Sequence, residues 1–345
     1  MIEIRDICKS YNKKRVLNDI SFSISDHEFL VILGPSGSGK STFLRLISGI
    51  EEMDSGKVII DNKEKKRYEL INDTATIFQN FSLFPNMNVY NNIAFPIRKE
   101  DKKTIDLKVK NIAQVLKIDH LLNRKVTKLS GGEAQRVSIA RALIRNVNIY
   151  LFDEPLSSLD EHLKKELIKE IKLSYEKDKK LYIYVTHNQE EAKILSSKVL
   201  ILNDGKIQGF GKYEELYNNP SNLFVAEFLG ALNKINSKII CENDLYYVNI
   251  GNKLYLLDKS KYYYKNLESY INREVILGLR PSDIGIDDDG INVKIESIIN
   301  FPLYKRYIVN NNDFELIIES NKDINVKEFN INFNKNIMIF NKEPL

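Results

Sequence analysis

Phe29-Leu-Val-Ile-Leu-Gly-Pro-Ser-Gly-Ser-Gly-Lys-Ser-Thr42 joins a short apolar strand to a glycine-punctuated turn and then to a helix. The second half fits the phosphate-loop pattern G-x-x-x-x-G-K-[ST], and the strand–loop–helix context separates such a match from chance. Gly34, Gly37 and Gly39 allow backbone N–H groups to curl round phosphate oxygens, with Pro35, Ser36 and Ser38 in the same turn. Lys40 is expected to bring charge to the β- and γ-phosphates and the Ser41 hydroxyl to ligate Mg²⁺. Thr42 completes the loop as a helix over residues 41–48 begins, which Gly49 stops.

The same rhythm continues downstream. Residues 75–78, 149–152, 181–185 and 199–202 are short, apolar, bounded by turn residues, and read as buried strands like 29–33. Between them Ile105, Val109, Ile112 and Leu116 recur at helical spacing, as do Leu163, Leu167 and Ile171. Strands alternating with helices predict an α/β fold with a mostly parallel sheet. Ile2, Ile4 and the alternation through Ile20, Phe22 and Ile24 predict an antiparallel addition at one edge.

After about Asn233 helical periodicity stops. Strand candidates at 246–250 and 253–257 flank Gly251-Asn252, a good two-residue hairpin signal. Others lie at 275–279, 293–299, 307–309, 314–318 and 337–340. This predicts two domains, residues 1–232 and a small all-β, barrel-like module over 233–345. The total of 345 residues fits about two domains at a soft prior of ~150 residues each.

Bulk composition excludes several classes. With 51 basic and 47 acidic residues the net charge is only +4, which gives no sign of nucleic acid or acidic lipid as a partner. Cys8 and Cys241 lie far apart without metal-ligand spacing and fit a reducing compartment. No signal peptide is expected at Met1-Ile-Glu-Ile-Arg-Asp6, and no apolar run approaches the ~20 residues of a spanning helix, so a soluble chain is expected.

Two further stretches carry chemistry. Ile149-Tyr-Leu-Phe-Asp-Glu-Pro155 is an apolar strand ending in two carboxylates. Asp153 suits a Mg²⁺ contact beside the loop, and Glu154 suits a general base orienting the attacking water. Leu129-Ser-Gly-Gly-Glu-Ala-Gln-Arg-Val137 is a Ser-Gly-Gly turn entering a helix, which offers a hydroxyl and free helix N–H groups to an anion.

This last stretch resembles the signature motif of ABC-type ATPases, and residues 2 to about 230 carry the motifs of that family in order. The resemblance implies ATP and Mg²⁺ as cofactors and a P-loop ATPase domain with an inserted helical subdomain. It makes Ser130, Gly131 and Gly132 contacts to ATP held by a second copy, and so implies a homodimer. Gln79 resembles the Q-loop residue that senses Mg²⁺, and His187 the H-loop residue at the γ-phosphate. Ser157-Ser-Leu-Asp160 resembles the D-loop, with Asp160 at the dimer seam, and Tyr11 matches the aromatic that stacks on adenine. Departures are Glu133-Ala134 in the signature, Asp26-His27 before Glu28, and a Lys-rich loop over 62–72.

Phe84-Pro-Asn-Met-Asn-Val-Tyr-Asn-Asn-Ile-Ala-Phe-Pro96, Phe224-Val-Ala-Glu-Phe-Leu-Gly230 and Gly278-Leu-Arg-Pro281 resemble importer ATPases that carry a C-terminal OB-like (TOBE) module, as in maltose, glycerol-phosphate, spermidine and ferric-iron systems. This implies integral membrane permease subunits contacting residues 79–92, an extracytoplasmic solute-binding protein in the same system, and a place at the cytoplasmic face of the cell membrane. The stretch from Val89 to Pro96 leans toward sugar or glycerol-phosphate; polyamine, ferric iron or another anion are the alternatives. A soluble, non-transport ABC ATPase is the runner-up, but heptad insertions and a second cassette are absent from the sequence. An oligonucleotide-binding role for the β-module would rest on Lys259-Ser-Lys-Tyr-Tyr-Tyr-Lys265.

Overall fold

In the computed structural model, residues 1–157, 159–251, 253–258, 267–333 and 336–342 are described. Ser158, Asn252 and the 259–265 stretch lie outside them. The structure contains two compact units, Met1–Tyr213 and Glu214–Leu345.

The first unit begins with β1 (Ile2–Tyr11) and β2 (Lys14–Ile24), followed by β3 (Phe29–Leu33) and α1 (Lys40–Ile47). Then come β4 (Ser55–Ile60), β5 (Lys63–Glu64), α2 (Arg67–Asp73) and β6 (Thr74–Ile77). A helical insertion holds α3 (Val89–Ala94), α4 (Lys102–Val115) and α5 (Gly131–Leu143). The unit continues through β7 (Ile149–Asp153), α6 (Glu161–Asp178), β8 (Leu181–Thr186), α7 (Gln189–Leu195), β9 (Lys198–Asn203) and β10 (Lys206–Gly211).

Strand order in the main sheet is β10–β9–β3–β8–β7–β6, parallel from β9 to β6, with β10 the antiparallel edge. Strands β3, β7 and β8 are buried along their whole length, which is why they read as continuous apolar runs rather than alternations. The period of two still sorts their faces. Leu30, Ile32, Leu151 and Ile183 join a core with α1, β1, β2 and β4. Phe29, Phe152, Tyr182 and Tyr184 form an aromatic cluster on the other face, with Tyr175 of α6 edge-on to Phe29 and Tyr182.

The N-terminal strands differ from expectation. They do not extend the parallel sheet but form a separate antiparallel sheet, β2–β1–β4–β5. Their alternation gives them one face to bury, and Ile2, Ile4, Phe22 and Val58 cover the main sheet's core as a second layer. β4 and β5 were not foreseen, because Ser55-Gly-Lys57 and Lys63-Glu64 interrupt any apolar run.

The second unit starts at α8 (Tyr213–Asn218, at the boundary) and α9 (Leu223–Leu229). The sequence changes character at Asn233, yet the compact units divide between Tyr213 and Glu214. The physical reason is Arg280, buried, whose guanidinium donates to the carbonyls of Tyr217, Ala226, Gly230 and Ala231 and lies 4.2 Å over the Tyr217 ring. That fastens both helices to the β-module.

The module is built from β11 (Asn233–Glu242), β12 (Leu245–Ile250), β13 (Lys253–Leu257) and β14 (Glu274–Leu279). It continues with β15 (Gly285–Asn300), β16 (Lys305–Asn310), β17 (Glu315–Ser320), β18 (Glu328–Asn332) and β19 (Met338–Asn341). Antiparallel ladders β13–β12–β11–β14–β19 and β17–β16–β15–β18 share one apolar core that includes Ile239, Val248, Tyr307 and Ile331. The β16–β17 turn is held by Asn311, whose side-chain oxygen accepts from Asp313 and Phe314 N–H. β11 escaped the sequence reading because Lys234, Asn236 and Lys238 alternate with its apolar residues and polar Asn233 and Ser237 take two of its inward positions.

Candidate functional site

Parallel order places the ends of β3, β7 and β8 side by side, so the segments that follow each strand meet at one edge of the sheet. The phosphate loop follows β3, Asp153 ends β7, and His187 follows β8.

Loop geometry depends on glycine at defined points. Gly37 and Gly39 take φ of 79° and 105°, the left-handed region. A Cβ on Gly34 would lie 2.2 Å from the Leu202 carbonyl oxygen, so β9 itself forbids a side chain there. Lys40 is buried, and its ammonium donates to the Gly34 and Pro35 carbonyls at 2.9 and 2.8 Å, closing the loop on itself. Burial pushes the Lys40 pKa down, while Glu154 and Asp153 oppose this.

Ser41 Oγ donates to Asp153 Oδ1 at 2.8 Å. Burial pushes the Asp153 carboxyl up, partly countered by the Ser41 hydrogen bond. A buried carboxylate held above its usual range beside a hydroxyl oxygen is a site that gains from a cation. The donor set, two hard oxygens open to added phosphate oxygens, fits Mg²⁺. Among the described residues no group of three His, Cys, Asp or Glu is placed to hold a metal ion.

Glu154 adopts φ 44°, strained for a non-glycine residue, and its N–H donates to the Val185 carbonyl at 3.1 Å. Its Oε2 lies 3.6 Å from His187 Nδ1, and the His187 side chain is 60% exposed. Ser157 Oγ donates to the Glu154 carbonyl at 3.0 Å, and Gln79 Nε2 lies 3.4 Å from Ser157 Oγ. The contact of Gln79 is thus with the turn after Glu154, whereas Ser41 and Asp153 pair with each other.

A cleft of about 310 Å³ lies over the loop, walled by Tyr11, Val16, Thr42 and Glu154 with Ser36 and Lys40 at its floor. Tyr11 is exposed. The cleft brings together Tyr11, the loop and Glu154, and Asp153 and His187 adjoin them.

Ser130, Gly131, Gly132 and Asp160 are not among the cleft's lining residues. Ser130 caps α5: its Oγ accepts from Glu133 N–H at 3.3 Å and Glu133 Oε2 accepts from Ser130 N–H at 2.8 Å. The Ser130 hydroxyl proton stays available, and Ser130 and Gly131 are exposed. Gly132 is buried, and a Cβ there would meet Leu163 of α6 at 2.8 Å. Asp160 caps α6, accepting from His162 and Leu163 N–H at 3.1 and 3.0 Å.

Sequence reading missed the anchors of α5. Arg136 donates to Glu170, to Glu166 at 2.9 Å and to the Leu116 carbonyl. Arg141 donates to the Ser82 and Phe81 carbonyls at 2.8 and 3.2 Å, tying α5 to the segment after Gln79. Their only signal was two arginines five positions apart in one helical segment.

Residues 17–157 match the family model described as ABC transporter. The spermidine/putrescine import ATP-binding protein PotA of Clostridium novyi is 36% identical over 333 residues, covering 93% of this chain and 91% of its own. The sn-glycerol-3-phosphate import ATP-binding protein UgpC of Psychromonas ingrahamii is 40% identical over 291 residues, covering 83% and 75%. Among solved structures, the dimeric ATP-binding cassette MJ0796 in a post-hydrolysis state bound to ADP and Pi has a TM-score of 0.57 at 29% identity, covering 61% of this chain and 98% of its own. With phosphate loop, paired carboxylates and signature helix in one α/β unit, the chain belongs to the ABC transporter ATP-binding proteins of the importer class, which hydrolyse ATP with Mg²⁺.

Proposed function

We propose that this chain powers solute uptake by binding ATP over the phosphate loop and closing on a second copy of itself. The observation that carries the reading is the convergence at one sheet edge of Lys40, the Ser41–Asp153 pair and the Glu154–His187 pair. In this reading loop N–H groups and Lys40 hold the β- and γ-phosphates, Tyr11 stacks on adenine, and Ser41 and Asp153 hold Mg²⁺, with Gln79 reporting on it. Mg²⁺ neutralises charge on the transferring phosphoryl group when bound. Glu154 orients water for attack, and His187 contacts the γ-phosphate.

The exposed Ser130 and Gly131 supply the second half of the site in trans, with Asp160 at the seam. Closure is then a population shift driven by ATP's higher affinity for the paired state. Among the described residues no helix is long and apolar enough to cross a membrane; in this reading, supported by the importer relatives, the work of closure passes to a separate permease. An open groove of about 450 Å³ beside residues 79–92, walled by Phe78, Phe84, Phe95, Arg141 and Arg145, suits an inserted permease segment. That docking places the chain at the cytoplasmic face of the membrane, with a solute-binding protein on the far side. In this reading the motor is the first compact unit, and within the second the β-strands over 233–345 form an OB-like regulatory module.

Two solute classes have support. The run from Val89 to Pro96 and the glycerol-phosphate relative favour a sugar or glycerol-phosphate. The polyamine relative, aligned over nearly the whole chain, favours spermidine or putrescine. For the engine, Glu154→Gln should bind Mg-ATP, hydrolyse it very slowly, and elute as a dimer only when ATP is present. A monomeric profile in saturating Mg-ATP would refute closure by pairing. For the cargo, proteoliposomes with the cognate permease and binding protein should show ATPase stimulation by one of the two classes; stimulation by neither removes both.

A further inference from the structure

We propose that Tyr184 and Glu191 form a buried strut that sets His187 against Glu154, making both of them positioning residues for ATP hydrolysis. The inference rests on the role given to His187 above.

His187 has little to hold it. Its imidazole is mostly solvent-exposed and lies 3.6 Å from Glu154 Oε2, so its direction is set by the backbone that carries it. That backbone is the short turn between β8 and α7, and both ends are anchored. On the strand side, Thr186 Oγ1 accepts from Asn188 N–H at 3.0 Å. On the helix side, Asn188 Oδ1 accepts from Glu190 and Glu191 N–H at 2.8 and 3.3 Å.

These local bonds fix the shape of the turn. Lys172 of α6 holds the far end of α7 through the Ile194 carbonyl at 2.8 Å, and the Tyr184–Glu191 bond holds its first turn to the sheet. Tyr184 lies on β8 three residues before His187, Glu191 on α7 four residues after it, and both are buried. Tyr184 Oη donates to Glu191 Oε2 at 2.9 Å, bridging strand and helix beneath the turn. Burial first, and the Glu191 charge next, keep the Tyr184 hydroxyl protonated, so it remains the donor.

The strut also reaches the partner of His187. The Tyr184 ring packs 5.7 Å from that of Phe152, the residue before Asp153-Glu154, and Val185 accepts the Glu154 N–H. One buried ring therefore references both halves of the Glu154–His187 pair. Loss of the bond leaves the Glu191 carboxylate buried without its donor, and it must seek water by rotating α7 outward. Displacement of a reacting group by about 1 Å can cost roughly a hundredfold in rate.

Purified full-length chain with Mg-ATP tests this. Steady-state kcat and KM would be measured for wild type, His187→Ala, Tyr184→Phe, Glu191→Gln and Glu191→Leu, with thermal unfolding alongside. Imidazole resonances of the four histidines would be followed by NMR. Tyr184→Phe and Glu191→Leu should lower kcat by about 10- to 100-fold with KM for ATP within about twofold. Glu191→Gln, whose amide oxygen still accepts, should keep most of the rate. The His187 resonance should move in the first two variants while those of His27, His120 and His162 stay.

Wild-type kcat in Tyr184→Phe overturns the strut even where His187→Ala is inactive. So does a fall that tracks loss of folded protein with the His187 resonance unmoved. Full turnover by His187→Ala overturns the underlying role of His187 itself, and the strut with it. Should Tyr184→Phe not fold, the Glu191→Gln and Glu191→Leu pair decides, since equal rates in those two refute the hydrogen bond as the cause.

Discussion

Replacing Arg136 by Met should loosen the signature helix more than any exposed substitution in it. Arg136 donates to Glu170, to Glu166 and to the Leu116 carbonyl, fastening α5 to α6 and to the end of α4. Glu170 is only 6% exposed, so without the guanidinium its carboxylate is a buried charge that has lost its main partner. Breaking a buried pair from one side costs about 3–5 kcal/mol. Lys117 remains 3.4 Å from the other Glu170 oxygen, but the lysine is 68% exposed. At a near-aqueous dielectric that contact offsets about 1 kcal/mol. A net loss of about 2–4 kcal/mol should lower Tm by about 5–15 °C in a unit of this size.

The assay is thermal unfolding of the full chain. The transition of the ATPase unit is recognised by its upward shift in Mg-ATP, because only the folded unit binds the nucleotide. Glu170→Met alone should cost less, since Arg136 keeps Glu166 and the Leu116 carbonyl. Arg136→Met with Glu170→Met should recover much of the loss, a coupling of about 2 kcal/mol in the cycle. Additive losses, or an Arg136→Met transition within a degree or so of wild type, would refute the buried pair as the anchor of α5. Because Ser130 begins the same helix, the destabilised variant should also dimerise less with ATP while still binding it.

Two more outcomes follow from the nucleotide side. Lys40→Ala should lose hydrolysis by at least about a hundredfold, since it removes the cation proposed for the phosphates and the two hydrogen bonds that close the loop; near-normal turnover in a phosphate-release assay would exclude the loop from the mechanism. Asp153→Asn should abolish Mg-ATP hydrolysis yet raise Tm in metal-free buffer. The sign follows from burial. Asp153 has a raised folded pKa, so its charged form weakens the fold progressively as pH rises through the unfolded and then the folded value. The gain in the variant should therefore close as the pH falls below that range, and a variant less stable than its parent at pH 7 would refute the assignment.

Much of the site was legible because its chemistry is carried by contiguous residues. The loop from Gly34 to Thr42, the pair Asp153-Glu154 and the turn after Leu129 each bring their donors, acceptors and backbone freedom within a few positions. Buried parallel strands announced themselves as unbroken apolar runs, and the structure returned them nearly residue for residue. The groups that aim the site were not legible. Tyr184 and Glu191, Arg136 and Glu170, and Arg141 with the Phe81 and Ser82 carbonyls are pairs from different elements. No spacing in the chain reveals that they meet.

The sequence by itself determined that this protein works on ATP with Mg²⁺, since a phosphate loop and its neighbouring oxygen ligands need particular residues at fixed local spacing. It also determined the α/β order of the first unit and the all-β character of the second. Only tertiary structure decided that β1, β2 and β4 form their own sheet, and that Arg280 draws α8 and α9 to the β-module. It alone set Glu154 and His187 at 3.6 Å. Strand pairing and buried hydrogen bonds are selected by which surfaces can be covered together, and that is a property of the packed chain rather than of any stretch of it.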